Sequence, residues 1–354
     1  MINPRKAIQK LEAYNPPIEG RGNNLRLDFN ENTVGPSPKV IEAIKNISRD
    51  FVSCYPEYDA FRKKLAKYLK VKETEVIPTN ASDDAIKVIM DTYIDEGDEI
   101  ILPEPTFPMF RIYGGIADAK ITSILYNDDL SFPTEKVIEA ISQKSKARIV
   151  VVVNPNNPTG TPVIRDDLIR IIEKAKSCNS LVLLDEAYHH FTKESGIGLI
   201  NKFDNLIVVQ TFSKAFGLAG LRAGYIVSCE DNIRNIKKAC SPYSVNSLAV
   251  LAASAALDDE KYVEWYVSEV EKSRELLYSE LKKLNIKTFP SSANFVLAYF
   301  GDKSKELMDK LRGEGILIRD RSSDKMLKGC IRISLGTVEQ TKKFIKHLRE
   351  VLNA

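Results

Sequence analysis

Residues 147–160 read ARIVVVVNPNNPTG and join a run of β-branched residues to a turn of asparagines, prolines and a glycine. Apolar residues fill consecutive positions from 149 to 153 instead of alternating with polar ones. Such a run is typical of a strand that is buried on both faces of a sheet. We therefore expect a buried strand over 147–154 that leads directly into a polar turn.

Short runs of the same kind occur on both sides of this strand and alternate with helical patterns. Further strands are predicted at EVIPT (75–79), DEIILP (98–103), SLVLLDEA (180–187), NLIVVQTF (205–212) and AGYIVS (223–228). Apolar spacings of three and four predict covering helices at DAIKVIMDTYI (84–94), PTEKVIEAISQK (133–144) and RDDLIRIIEKAKS (165–177). This alternation predicts an α/β fold, with a large domain built on a mostly parallel, doubly wound sheet.

The pattern changes after residue 230, which predicts a second, smaller α+β domain. Residues 259–285 form one long helical pattern that could bridge two domains. The tail then contains NFVLAYF (294–300), a helix at 303–313, GILIRD (315–320), CIRISLG (330–336) and a closing helix from Thr337. We predict an N-terminal arm at 1–40 that completes the small domain, a large cofactor-binding domain at 41–258, and the interdomain helix with the small domain at 259–354.

Composition excludes several classes of function. The chain of 354 residues has 51 basic and 48 acidic side chains, so its charge of +3 gives no strong field for nucleic acid or membrane. Its five cysteines lie far apart without a C-x-x-C pair, which fits a reducing compartment and favours a cytoplasmic protein. With only three histidines, multi-histidine metal sites are disfavoured and no metal is expected.

Unusual polar residues follow three of the predicted strands. They are NPNNPTG (154–160), DEAYHH (185–190) and TFSK (211–214). Each alone is consistent with a turn or a helix cap. Because the carboxyl ends of parallel strands share one edge, together they would bring an amide, a carboxylate, a phenol, two hydroxyls and an amine into one small volume.

This assortment matches the needs of pyridoxal 5'-phosphate, which requires a lysine for its aldehyde and an acid for its pyridine nitrogen. Lys214 and Asp185 would supply these two groups. Asn157 and Tyr188 are candidates for the ring oxygen. The cofactor phosphate would be held by Thr211, Ser213 and Arg222, together with Ser82 and Asp83 of TNASDDAIKVI (79–89), where a strand gives way to a helix N-terminus.

At this point the chain resembles a known family. NPNNPTG, DEAY and TFSKAFGLAGLRAGY, in this order, resemble fold-type-I aminotransferases of the class I/II superfamily over nearly the whole chain. LDFNENTVGPSP (27–38), CYPEYDAFRKKLAKYL (54–69) and GILIRD with GCIRISLGT resemble, more narrowly, the histidinol-phosphate aminotransferase family. The resemblance implies transamination between histidinol phosphate and 2-oxoglutarate, giving imidazole-acetol phosphate and glutamate in histidine biosynthesis.

The resemblance also implies roles for individual residues. Lys214, Asp185 and Tyr188 would be catalytic, with Lys214 as the proton-transferring base, and Phe107 would stack on the cofactor ring. Tyr55 would reach the cofactor phosphate of the neighbouring subunit in a homodimer. The small-molecule amino donor and 2-oxo acid would be bound by Arg319, Arg332, Tyr14 and Asn30.

Three positions depart from the family pattern. Ala81 stands where the family's phosphate-binding turn usually has glycine, Thr33 replaces a proline, and Cys54 replaces an arginine. Alanine would be strained at position 81 if the turn requires a positive φ. The nearest enzyme alternative is an aromatic amino-acid aminotransferase, and a more distant one is a related pyridoxal-phosphate decarboxylase that acts on threonine phosphate. A ligand-binding or regulatory protein on the same scaffold is disfavoured because the Lys–Asp–Tyr set is intact.

Overall fold

The computed structural model describes residues 2–143 and 147–353. The strands are β1 Leu25–Arg26, β2 Val76–Thr79, β3 Glu99–Glu104, β4 Lys120–Leu125, β5 Ala147–Val153, β6 Leu181–Asp185, β7 Leu206–Thr211, β8 Gly224–Ser228, β9 Lys287–Phe289, β10 Phe295–Tyr299, β11 Ile316–Leu317, β12 Arg319–Asp320 and β13 Cys330–Ser334. The helices are α1 Lys6–Gln9, α2 Pro38–Lys45, α3 Arg49–Ser53, α4 Asp59–Leu69, α5 Ala81–Tyr93, α6 Met109–Ile116, α7 Thr134–Gln143, α8 Arg165–Ser177, α9 Glu230–Ala239, α10 Ser247–Ala256, α11 Glu260–Lys283, α12 Ser304–Gly313 and α13 Val338–Asn353.

Within the described residues the large sheet has seven strands in the order β2-β8-β7-β6-β5-β3-β4. Strands β4, β3, β5, β6 and β7 run parallel to one another, whereas β8 runs antiparallel to both β7 and β2. The predicted α/β fold with a mostly parallel sheet is therefore confirmed.

The run of consecutive apolar residues in β5 divides between two hydrophobic cores. Val150 and Val152 pack into the core on one face of the sheet, and Ile149, Val151 and Val153 pack into the core on the other. Because side chains alternate across a strand, both faces need apolar residues when helices cover both. This is the physical reason for the VVVV sequence.

The predicted elements differ from the observed ones mainly at their ends. The predicted strands agree to within two residues at each end, and the long helix spans Glu260–Lys283. Lys144, the last residue of the predicted helix 133–144, lies outside the described residues. The elements that were not predicted are strands β1, β4 and β9 and helices α1, α2, α3, α6, α9 and α10. Strand β4 lies at the sheet edge, where its side chains are only partly buried and its apolar pattern is correspondingly weak.

The C-terminal tail forms a separate antiparallel sheet in the order β12-β13-β10-β9. The N-terminal arm joins it, because β1 pairs in parallel with β11 and the amide of Ser334 donates to the carbonyl of Leu27 at 2.9 Å. Within β12 and β13, Arg319 and Arg332 lie directly opposite one another. The division of the chain at residues 40 and 258 stays a prediction.

Within residues 2–143 and 147–353, no helix is both long and apolar enough to span a membrane.

Candidate active site

A cavity of about 550 Å³ opens at the carboxyl ends of β5, β6 and β7. Both the N-terminal arm and the C-terminal tail contribute to its walls. The predicted site residues in its lining are Tyr14, Asn30, Ser82, Asp83, Phe107, Asn157, Asp185, Tyr188, Thr211, Ser213, Lys214, Arg222, Arg319 and Arg332. The structure thus brings residues from widely separated parts of the sequence to the edge that the strand ends predicted.

Lys214 follows β7 and extends its amine into this cavity. Its Nζ donates to the backbone carbonyl of Phe29 at 3.1 Å and lies 5.7 Å from the centre of the Tyr188 ring. A close approach of two backbone segments fixes the turn after the lysine. Gly217 has φ +75° there, and a Cβ on it would come within 2.7 Å of the carbonyl carbon of Gly35.

Asp185 ends strand β6 and is buried at the floor of the cavity. Its Oδ1 accepts a hydrogen bond from the amide of Ala187 at 2.9 Å. Burial raises the pKa of this carboxyl to about 7, and the charges of Asp83 and Glu186 act in the same direction. A cation placed against Asp185 would offset this penalty and stabilise the ionised form.

Tyr188 and Asn30 connect the end of β6 to the arm and the tail. Asn30 Nδ2 donates to the hydroxyl of Tyr188 at 3.0 Å, and Ser334 Oγ donates to Asn30 Oδ1 at 2.8 Å. Asn30 adopts φ 57°, a left-handed conformation that asparagine tolerates better than most residues. The chain of hydrogen bonds therefore fixes the position of the phenol.

Hydroxyl groups and a helix N-terminus line the opposite wall. Thr211 Oγ1 donates to Ser213 Oγ at 2.9 Å and accepts from the amide of Ser213 at 3.1 Å. Helix α5 begins at Ala81, so Ser82 and Asp83 lie in its first turn, where free N–H groups and the helix dipole favour an anion. Arg222 Nη2 donates to Asp83 Oδ2 at 2.6 Å, which places its positive charge at the same wall.

The turn before α5, which the sequence predicts to bind the cofactor phosphate, is strained at one of the positions that depart from the family pattern. Ala81 adopts φ +65°, a region that residues with a Cβ rarely occupy. The condition under which alanine was expected to be strained is therefore met. The other two departures, Thr33 and Cys54, are absent from the lining of the cavity among the described residues.

Arg332 enters the cavity from the middle of β13 and is buried. It donates to the carbonyl of Asp28 at 2.6 Å and to Asn157 Oδ1, and its Nε has no hydrogen-bond partner among the described residues. Burial lowers its pKa to about 10. The sequence predicted either a ligand or an acidic partner for this charge, and its protein partners are neutral oxygens.

Arg319 stands opposite Arg332 and lies 5.6 Å from the centre of the Phe29 ring. Among the described residues, no carboxylate lies within ion-pair distance of either Arg319 or Arg332. Neighbouring guanidinium groups that have no carboxylate within ion-pair distance are suited to binding an anion such as carboxylate or phosphate.

Sequence reasoning missed two arginines of the cavity wall, Arg21 and Arg321. Arg21 forms ion pairs of 2.7 Å with Asp28 and Glu31 and stacks 4.0 Å from the centre of the Phe29 ring. It lies in the irregular arm, where no periodicity predicts which way a side chain points. Arg321 had a usable signal, because it is two residues from Arg319 and adjoins the same strand.

Tyr55 is absent from the lining of this cavity among the described residues. Tyr55 is 75% exposed, and its ring stacks on that of Tyr243 with 4.3 Å between ring centres.

The groups at the cavity fit pyridoxal 5'-phosphate. Lys214 supplies a primary amine, Asp185 supplies a buried carboxyl whose pKa burial raises, and hydroxyls, a helix N-terminus and an arginine line one wall.

Comparison with known proteins extends these findings. The family model "Aminotransferase class I and II" matches residues 23–348. Histidinol-phosphate aminotransferase of Caldanaerobacter subterraneus subsp. tengcongensis is 36% identical over 98% of this chain and 97% of its own length. The enzyme of the same name from Methanocaldococcus jannaschii is 36% identical over 93% and 89%. The crystal structure of histidinol-phosphate aminotransferase from Sinorhizobium meliloti with pyridoxal-5'-phosphate has a TM-score of 0.87 at 26% identity, covering 98% of this chain and 97% of that one.

Proposed function

Because the chain belongs to the class I and II aminotransferases, we propose that it transfers the amino group of histidinol phosphate to 2-oxoglutarate. The products are imidazole-acetol phosphate and glutamate, and the reaction belongs to histidine biosynthesis. The chain is an aminotransferase, and pyridoxal 5'-phosphate is its cofactor.

One observation carries the choice of substrate. Arg319 and Arg332 lie opposite each other in the cavity that contains Lys214, and among the described residues neither has a carboxylate partner. The amino donor carries a phosphate and the amino acceptor carries carboxylates, so a single arginine pair must bind both anions in turn. Guanidinium groups form bidentate hydrogen bonds with either group.

Lys214 and Asp185 perform the central chemistry in this proposal. When bound, the cofactor supplies an aldehyde that captures the donor amine and a ring that accepts electrons. Nζ of Lys214 removes the proton from the donor's Cα and returns it, acting in turn as base and acid. Burial raises the pKa of Asp185, and a protonated ring nitrogen placed against it would favour the ionised carboxylate. The carboxylate would in turn stabilise the protonated form of that nitrogen.

The remaining residues of the proposed site position the cofactor so that its aldehyde lies within reach of Lys214. Asn157 and Tyr188 bind the ring oxygen, and Phe107 stacks on the ring. Thr211, Ser213, Arg222, Ser82 and Asp83 surround the phosphate. The carboxylate of Asp83 already pairs with Arg222, so we assign Asp83 to orienting this arginine while its N–H faces the phosphate.

We further propose a homodimer in which Tyr55 reaches the cofactor phosphate of the neighbouring subunit. The exposure of Tyr55 and Tyr243, stacked side by side outside the cavity of their own chain, supports this arrangement. Tyr14 and Asn30 complete the substrate side. We propose a cytoplasmic location, since the free cysteines suit a reducing compartment.

A substrate panel tests the proposal. The purified enzyme, loaded with pyridoxal 5'-phosphate, is assayed with histidinol phosphate, phenylalanine and tyrosine as donors to 2-oxoglutarate. We expect the highest kcat/KM on histidinol phosphate, because only this donor presents a phosphate to the arginine pair. Lys214→Ala serves as the control for contaminating aminotransferases and should show neither turnover nor the visible absorption band of lysine-bound cofactor.

Two results would overturn the proposal. Equal or better kcat/KM on phenylalanine would make the chain an aromatic amino-acid aminotransferase. Release of CO₂ from threonine phosphate, without amino transfer from histidinol phosphate, would make it a decarboxylase.

A further inference from the structure

A third arginine stands beside the two that the proposed function uses. Arg321 continues the edge strand after Arg319, and its amide donates to the carbonyl of Cys330 at 2.9 Å. Side chains two residues apart in a strand leave it on the same side, and Arg319, Arg321 and Arg332 all line the cavity. The three charges lie close enough to interact, since Arg321 and Arg319 both add to the lowering of the pKa of Arg332 by burial.

Arg321 is buried and incompletely satisfied. It is 7% exposed, it forms an ion pair with Asp324, and its Nε has no hydrogen-bond partner among the described residues. A buried donor without a hydrogen-bond partner destabilises the folded state, and more so when the group is charged. An arginine retained at this cost requires an explanation.

The shape of the surrounding loop does not supply that explanation. The main-chain turns within residues 321–329 need no arginine side chain, although the ion pair of Arg321 with Asp324 lies in the same loop. The amide of Asp324 donates to the carbonyl of Arg321 at 2.9 Å, and the amide of Gly329 donates to Ser322 Oγ at 3.2 Å. A neutral residue at position 321 would preserve both contacts.

The balance of charge indicates what the third arginine contributes. Arg321 offsets the carboxylate of Asp324, whereas Arg319 and Arg332 have no carboxylate within ion-pair distance among the described residues, so these three arginines together leave two positive charges beside the cavity. A phosphate monoester carries a charge of about −1.5 to −2 and three acceptor oxygens. A carboxylate carries one charge and two acceptor oxygens, and the guanidinium groups of Arg319 and Arg332 provide enough charge and donors for both oxygens.

We propose that Arg321 is a specificity-determining residue that makes this anion site favour a phosphate dianion over a carboxylate. This inference rests on the proposed function, because it identifies which of the two anions the extra charge serves. Arg321 acts through the field at the site and through the guanidinium of Arg332. The third charge adds little for a carboxylate, which the other two arginines neutralise.

The test compares Arg321→Gln with the wild-type holoenzyme. Glutamine retains hydrogen-bond donors and most of the volume but removes the charge. We expect kcat/KM for histidinol phosphate to fall about tenfold through KM, as for the loss of one charge-assisted contact. Turnover of phenylalanine should stay within about twofold, since its carboxylate does not require the third charge. Competitive inhibition by inorganic phosphate should weaken by about the same factor as histidinol phosphate turnover.

Two matched variants control for general damage. Arg312→Gln removes an exposed arginine of α12 and should leave both substrates unaffected. Arg321→Lys retains the charge and should recover most of the phosphate preference. An equal loss on histidinol phosphate and phenylalanine in Arg321→Gln, or phosphate inhibition that does not change, would overturn the proposal.

Failure of the proposed function would look different. If the wild-type enzyme does not use histidinol phosphate but transaminates phenylalanine, the substrate assignment is wrong. Inorganic phosphate is then tested as an inhibitor of phenylalanine turnover. Weaker inhibition in Arg321→Gln than in Arg312→Gln would still support the anion preference, and equal inhibition would reject it.

Discussion

Gly224 lies directly against the backbone of Ala81, and a Cβ added to Gly224 would fall 2.6 Å from the carbonyl carbon of Ala81. Strand β8 thus packs directly against the turn that leads into α5. Ala81 occupies a left-handed conformation with φ +65°. The backbone is therefore both strained and closely packed next to the N–H groups that are proposed to bind the cofactor phosphate. Both residues can be tested separately.

Ala81→Gly should stabilise the protein. Removing the Cβ relieves a left-handed conformation that costs about 1–2 kcal/mol, while the greater freedom of glycine in the unfolded chain offsets part of the gain. We expect the free energy of unfolding in urea to rise by about 0.5–1 kcal/mol. Ala85→Gly, within the same helix, should lower it by about 1 kcal/mol. A lower stability of Ala81→Gly than of the wild type would contradict the strain.

Gly224→Ala should have the opposite effect and should weaken cofactor binding. The added methyl group must displace the backbone at Ala81 and Ser82, because both lie within 3.0 Å of it. Overpacking of this kind costs about 1–3 kcal/mol. The measurements are urea unfolding of the cofactor-free protein and the dissociation constant of pyridoxal 5'-phosphate. Unchanged cofactor affinity would show that the turn does not contact the phosphate.

The sequence predicted the part of the site that lies at the carboxyl ends of the parallel strands. Consecutive apolar residues identified β5, and the polar residues after β5, β6 and β7 converge because parallel strands end at one edge. Arg21 could not be found in this way. Its position depends on ion pairs with Asp28 and Glu31 in an arm without periodicity. Strand β4 was missed for a related reason, since a half-exposed edge strand needs no continuous apolar run.

Asp185 predicts a pH dependence of stability in the cofactor-free protein. Its folded pKa of about 7 lies above the unfolded value of about 4, so the folded state holds the proton more tightly. The contribution to stability is full below about pH 4 and is lost as the pH rises to about 7. Asp185→Asn should therefore gain stability over the wild type as the pH rises through this window.

Urea titrations of both cofactor-free proteins at about pH 5 and about pH 8 measure this difference. We expect the asparagine variant to be favoured more at the higher pH. A pH-independent difference would show that Asp185 is ionised without penalty. In the holoenzyme the same variant should lose most activity, because a neutral amide cannot keep the ring nitrogen protonated.

Glu186, the neighbour of Asp185, is held in a buried network on the other side of β6. Its carboxylate accepts from Ser195 Oγ, the amide of Gly196 and Gln210 Nε2, each at 2.6 Å. Gln210 Oε1 in turn accepts from the hydroxyl of Tyr225 at 2.6 Å. Burial raises the pKa of Glu186, so its ionised form depends on these donors.

Gln210→Leu should cost about 2–4 kcal/mol of stability, because it leaves one buried carboxylate and one hydroxyl short of a partner. The loss should increase with pH, since only the ionised carboxylate needs the missing donor. Adding Tyr225→Phe should recover part of the loss by removing the unpaired hydroxyl. If the double variant is less stable than the single one by the full cost of the tyrosine, the two residues are not coupled.

Lys325 lies in the loop between β12 and β13, and it connects the segment that carries Arg319 and Arg321 to the large sheet. Its Nζ donates to Glu104 Oε2 at 2.7 Å and to Ser123 Oγ at 2.9 Å, across the gap between the two sheets. Burial alone would raise the pKa of Glu104, but hydrogen bonds from Arg111, Lys325 and Ser123 lower it overall. The ion pair of Glu104 with Lys325 therefore stabilises the folded protein at pH values above the unfolded-state pKa of Glu104. This contribution is lost as the pH falls through the lower pKa that Glu104 has in the folded state.

Lys325→Met should loosen the segment that carries Arg321 without removing a group from the cavity. Because Lys325 is half-exposed, we expect at most about 1 kcal/mol, seen as a two- to fivefold rise in KM for the anionic donor at nearly constant kcat. Lys328→Met, an exposed lysine of the same segment, is the matched control and should have no effect. A double-mutant cycle with Glu104→Gln should give a coupling energy that disappears in acid. If Lys328→Met raises KM as much as Lys325→Met, the general charge of the segment, and not its contact with Glu104, sets the affinity for the donor.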